Sequence, residues 1–217
     1  MKRLLERILR ASFGLVVNGA CLYLMLQASI GLAPWDVLSV ALSMHLPLSY
    51  GSIVMLIGFL LIGINLLLGE PIGIGMVLDA LIVGSTADLL SALDLIPAQT
   101  ALLSGVLCML LGLVLVAVSQ WIYMSAGLGC GPRDALFVAL GKRLPRVPIG
   151  VVQSILLCVV LAAGWLLGGP VGLGTLIAVF GLGAILQGVF SLVHFDPRSV
   201  THESIVQSLR AARHAET

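Results

Sequence analysis

Apolar residues run in long blocks along this chain, separated by short stretches that carry nearly all of its polarity. Blocks of about 20 apolar residues match a hydrocarbon core of about 30 Å. They predict long helices at 11–30, 50–68, 72–95, 101–125, 149–167 and 171–194. Two shorter apolar segments lie at 35–46 and 133–143. Each follows a proline, Pro34 or Pro132, which suits a first helical turn because no N–H is needed there. Each stops at a second proline, in Leu46-Pro47 and Leu144-Pro145. A dozen helical residues rise only about 18 Å, too little to span comfortably. Trp35 to Leu42 is apolar on nearly all sides, so a partly inserted, protein-covered helix is expected rather than a surface one. No barrel-type alternation appears, and backbone in lipid must be paired internally. The expected class is an all-α, polytopic membrane helical bundle.

The pattern occurs twice. Gly31-Leu32-Ala33-Pro34-Trp35-Asp36 returns as Gly129-Cys130-Gly131-Pro132-Arg133-Asp134, and Gly69-Glu70-Pro71-Ile72-Gly73 returns as Gly168-Gly169-Pro170-Val171-Gly172. A twofold repeat in a membrane chain points to transporter-like architecture, with sites where the halves meet. Charge orients the halves. With six spans and the N-terminus inside, all 11 Lys and Arg fall on inside segments and none outside, satisfying the positive-inside rule. Residues 31–49 carry no Lys or Arg, whereas their mates at 129–148 carry Arg133, Lys142, Arg143 and Arg146. Opposite bias in matching loops predicts two inverted three-span repeats, each with one short broken or re-entrant helix. An eight-span arrangement with parallel halves misplaces only Arg133 but leaves that opposition unexplained. The expected organisation is an interfacial amphipathic helix at 1–10, a membrane repeat at 11–95, a second at 101–194, and a cytoplasmic tail at 195–217. Within the tail, residues 201–213 read equally as a helix or as a solvated segment.

Composition excludes a soluble domain: 59% of residues are hydrophobic and 10% charged, against about 25% charged in soluble domains. The start of the chain, basic and then apolar, reads as an uncleaved first span rather than a secretory signal, because the rest is equally membranous. Cys21, Cys108, Cys130 and Cys158 show no metal-ligand spacing and read as packing residues. No nucleophile-base motif, phosphate-binding loop or nucleotide fingerprint appears, so no enzyme, cofactor, metal or nucleic-acid role is expected.

The residues left to carry chemistry lie inside the spans. Asp36 and Asp134 fall in the first turns of the short helices, where an acid complements the helix dipole. That structural reading suffices by itself. The functional one has both helix N-termini facing a central cavity that binds substrate or a coupling ion. Arg133 replaces Trp35 in the second copy and is read as holding Asp134, meeting an anionic group, or reaching the headgroups. Asp79 and Asp88 share the third long helix on nearly opposite faces; their mates are Ala178 and Gln187. Asp88 is weighed evenly between a coupling carboxylate and a structural acid, either hydrogen-bonded between helices or near the interface, and Asp79, closer to the helix start, is assigned the structural reading. Asn18, Asn65, Gln120 and Gln153 are expected to join helices. The candidate site is therefore Asp36, Asp134, Arg133, Asp88, Trp35 and Gln187.

The run Ile30-Gly31-Leu32-Ala33-Pro34-Trp35-Asp36-Val37-Leu38, followed by Tyr50-Gly51-Ser52, resembles the YczE/YitT-type bacterial integral membrane proteins over about residues 11–194. The second copy departs from Gly-x-x-Pro-Trp-Asp at Arg133. The resemblance implies a small multi-span protein of the bacterial inner membrane and assigns no functional residue. The function expected is a secondary transporter or permease for a small molecule or ion. The alternative is a solute-capturing or accessory subunit without gradient coupling. Expected partners are the lipid bilayer and either a second copy or a membrane complex.

Overall fold

A computed structural model describes residues 2–196 and Ile205. Among the described residues there are eight α-helices and no strand: α1 (Lys2–Gln27), α2 (Pro34–His45), α3 (Tyr50–Leu67), α4 (Ile74–Leu93), α5 (Leu102–Met124), α6 (Pro132–Arg143), α7 (Ile149–Leu166) and α8 (Leu173–Leu192). The two short helices start at their prolines, as expected, and end before Pro47 and Pro145. One boundary differs. Residues 2–10 continue into α1 without a break instead of forming a separate interfacial helix. The first Gly of the chain is Gly14 and no Pro precedes Pro34, so nothing interrupts the hydrogen-bond ladder there. Five helices (α1, α3, α4, α5 and α8) are long and apolar enough to cross a membrane, and α7 is apolar along Gly150–Leu166. The helix considered for 201–213 lies outside the described residues except for Ile205, whose amide donates to Ile72 O at 2.9 Å.

Large apolar side chains face outward on every long helix, Leu67 being 87% and Phe180 78% exposed. Water would penalise such a surface heavily; lipid tails do not. The hydrophobic effect therefore does little to hold the helices together, and close packing of small residues takes its place. α1 is the central helix, packed on α4 and α5. A Cβ on Gly19 would stand 2.6 Å from Thr86 Cβ, and one on Gly112 2.6 Å from Met25 Cγ. α1 and α5 run antiparallel: Gly14 abuts Ser119 and Tyr123, Gly112 abuts Cys21 and Met25, and Gly105 abuts Ala28. Tyr23, 2% exposed, pins the connector between the halves: its hydroxyl donates to Ile96 O and accepts from Ile96 N.

The remaining packing is reciprocal. α2 of the first half packs on α7 of the second, and α6 of the second packs on α3 of the first. Gly174 N donates to Ile30 O and Gly75 N to Leu128 O, both at 2.7 Å. Gly75 and Gly174 thus spend their amides on the other half's loop, while Gly172 N donates to Thr175 Oγ1 at 3.2 Å. His45 Nε2 meets Leu167 O at 3.0 Å, and Arg143 Nη2 donates to Leu68 O at 2.9 Å. Gly31 and Gly129 hold φ of 104° and 110°, a region that side chains other than glycine's rarely enter, which is why the repeat keeps glycine there.

One pairing lacks its counterpart. α3 and α4 pack closely, and Gly51 and Gly84 bring their backbones together. Their repeat mates Gly150 and Gly183 have nothing within 4 Å, because α7 and α8 stand apart. Gly84→Ala is expected to cost about 1–3 kcal/mol by overpacking, while Gly183→Ala leaves stability unchanged; thermal unfolding in detergent compares the two.

Candidate functional site

The Gly-x-x-Pro loops lead both short helices inward, so that the N-termini of α2 and α6 converge on one cavity of about 590 Å³. Pro34, Trp35 and Asp36 line it from one side, and Pro132, Arg133 and Asp134 from the other. The two first turns touch through Arg133. Its Nη1 lies 3.6 Å from Asp36 Oδ1, and its guanidinium carbon 5.4 Å from the Trp35 ring centroid. Tyr50 Oη donates to the same Asp36 oxygen at 3.2 Å. Asp36 is 3% exposed. A carboxylate so enclosed needs a partner, and Arg133 supplies the charge while Tyr50 supplies a hydrogen bond. Of the three readings considered for Arg133, none named this pair: it holds the other repeat's aspartate, not Asp134.

On the third long helix Asp88 shows the interhelical hydrogen bond that is one of its readings, whereas Asp79 is not the helix-joining group expected. Asp79 lines the cavity, and Asp88 does not. Asp88 caps α3 instead: it accepts from Gly51 N at 2.7 Å and from the Ser49 hydroxyl. Asp88 lies on the side of α4 that meets the start of α3, where it satisfies amides that have no helical partner. Gln187, its repeat mate, is exposed on α8 and lies off the cavity. Asp79 and Asp134 flank Gly131: a Cβ there would sit 3.4 Å from Asp79 Oδ2 and 3.6 Å from Asp134 Oδ2.

Of the four mid-span amides expected to join helices, among the described residues only Asn65 does so, donating to Pro132 O at 2.9 Å. Asn18, Gln120 and Gln153 line the cavity, as do Ser119 and Tyr123. Their common signal is a mismatch between repeats. Asn18 faces Val116 as its mate, Gln120 has Leu22, Tyr123 has Met25, Gln153 has Val54 and Asp79 has Ala178. Both members of every one of these pairs line the cavity. Among the described residues no group of three or more potential ligands is arranged for a metal ion, and all four cysteines are free thiols.

Residues 5–190 match DUF6198, a family of unknown function. The chain belongs to this family. It is 30% identical over 192 residues to the "Uncharacterized membrane protein YczE" of Bacillus subtilis (strain 168), covering 86% of this chain and 87% of that protein. A Haemophilus influenzae "Uncharacterized protein" is 30% identical over 185 residues, 83% of this chain and 82% of its own. "Uncharacterized protein YyaS" of Bacillus subtilis (strain 168) is 31% identical over 180 residues, with shares of 82% and 88%. No solved structure matches the chain. The match over nearly the whole length establishes a membrane protein of YczE type, and these names state no activity.

Removing one partner of the ion pair leaves the other charge enclosed. Arg133→Gln is expected to cost about 3 kcal/mol, and Asp36→Asn in the same chain to recover part of that loss. A double-mutant cycle read by thermal unfolding in detergent measures the coupling.

Proposed function

We propose that this protein is a small secondary transporter or permease of the bacterial inner membrane, moving a small solute through a site between two inverted three-span halves. The observation that carries the reading is the single cavity bounded by the first turns of both short helices. Most of its polar lining is placed on one repeat only, so two similar scaffolds present different chemistry to one space. The antiparallel run of the repeat mates α1 and α5, with the reciprocal contacts of α2 with α7 and α6 with α3, supports the inversion. The distribution of all 11 Lys and Arg supports six spans with both termini cytoplasmic.

The unequal helix pairs supply a mechanism of alternating access. α3 and α4 are closed on their glycines while α7 and α8, carrying the same glycines, are open. Rocking of one half against the other exchanges the two conditions and exposes the cavity to each side in turn. Closure of the open pair has a specific marker. Ser85 Oγ touches Met55 Sδ at 3.6 Å across the closed pair, and the repeat mates of these residues are Ala184 and Ser154.

Proteoliposomes given a metabolite extract and an imposed proton gradient are expected to accumulate at least one solute, read by mass spectrometry. Asp79→Asn is expected to lower that accumulation about tenfold, a loss of about 1.4 kcal/mol in transition-state stabilisation. In a background without native cysteines, Ser154→Cys with Ala184→Cys is expected to form a disulfide during turnover when copper phenanthroline is added as the oxidant. No accumulation and no cross-link, together with stable co-purification of a membrane complex, would assign an accessory role instead.

A further inference from the structure

The nature of the solute can be read from charge, unmet hydrogen bonding and the shape of the cavity. Three carboxylates (Asp36, Asp79 and Asp134) and one guanidinium (Arg133) line the cavity, with no Lys, Glu or His. Arg133 is committed to Asp36 and stacked on Trp35. Asp79 and Asp134, brought together beside Gly131, make no hydrogen bond or ion pair among the described residues. An unpaired acid in a low-dielectric space is costly, and a second one beside it adds repulsion that a cation relieves. A separate observation points to a ligand. Tyr123 is 5% exposed, lines the same cavity, and its hydroxyl has no partner. The Trp35 indole N–H is likewise unpaired.

Apart from Asn18, Ser119, Gln120, Gln153 and Ser154, the rest of the wall is apolar, and it is open on one side. α7 and α8 stand apart, leaving a slot between them, and Leu157 and Cys158 of α7 line the cavity together with Val179 and Leu182 of α8. Cys158 and Val179 are exposed, so the slot communicates with the surroundings of the bundle at the level of its apolar surface. A strongly hydrated ion gains nothing from such walls, whereas a cation carrying apolar groups does.

We infer that the cavity takes a lipophilic organic cation, its positive group beside Asp79 and Asp134 and its apolar body in the slot between α7 and α8. The inference rests on the reading of this cavity as the ligand site. An anion is disfavoured because the three carboxylates outnumber the one guanidinium, which Asp36 already engages.

Tetraphenylphosphonium and tetraphenylborate carry the same four phenyl groups with opposite charge, so they separate charge from shape. Equilibrium dialysis against the protein in lipid nanodiscs, corrected with empty nanodiscs, is expected to show saturable binding of the cation, about tenfold or more tighter than any specific binding of the borate. Asp79→Asn with Asp134→Asn should weaken it at least about tenfold, while Asp88→Asn should leave it unchanged. In a variant whose one cysteine is Cys158, the cation and not the borate should slow maleimide labelling, a readout on a chain with both aspartates intact. Equal binding of both ions, preference for the borate, or cation binding indifferent to the two asparagines would overturn the inference. Cys158 that resists labelling without any cation, in nanodiscs holding two copies, would assign the slot to a second copy and overturn it as well. Cation binding without flux of any solute would sink transport and leave the ligand class standing. Asp79-dependent flux confined to neutral or anionic solutes would do the reverse.

Discussion

Non-helical backbone inside a membrane has to be covered by protein, because lipid offers nothing to its amides and carbonyls. The loops before α2 and α6 are non-helical backbone among apolar helices, and each is covered by the opposite half. Ile30 O accepts from Gly174 N, and Leu128 O from Gly75 N. Those two hydrogen bonds explain several features together. Gly31 and Gly129 must adopt positive φ, and Gly172 and Gly73 must leave room for them. The halves cannot be separated without exposing unsatisfied backbone, so neither half is an independent unit.

Covering the loops places the first turns of the short helices against each other, and that juxtaposition creates the local chemistry. Had both copies kept tryptophan, two enclosed aspartates would meet with no countercharge. Arg133 in the second copy resolves half of this problem by bonding Asp36 and stacking on Trp35. It leaves Asp134 and Asp79 without a partner of their own. A departure from internal symmetry thus stabilises one aspartate and leaves two available at the same place. The α3–α4 and α7–α8 pairs repeat the theme at the level of whole helices: equal glycines, unequal packing. Identical small residues permit a close approach without enforcing it, since contact between helices in lipid is decided by the whole surrounding packing.

Much of the architecture was legible in the chain itself. The apolar blocks fixed the long helices, the flanking prolines fixed the short ones at Pro34–His45 and Pro132–Arg143, and the repeated glycines located the special loops. These features are local: run length, missing N–H groups and restricted φ act over a few residues whatever the rest of the molecule does. Only the tertiary structure decided which polar groups share the cavity. Helical periodicity correctly set Asp79 and Asp88 on different faces of α4, yet it could not say that the start of α3 would claim Asp88 while Gly131 approached Asp79. It could not distinguish Asn65, which ties α3 to Pro132, from Asn18, Gln120 and Gln153, which line open space. A side chain's own sequence neighbourhood sets the direction in which it leaves its helix. What it meets there depends on residues scores of positions away, and therefore on how the two halves close around each other.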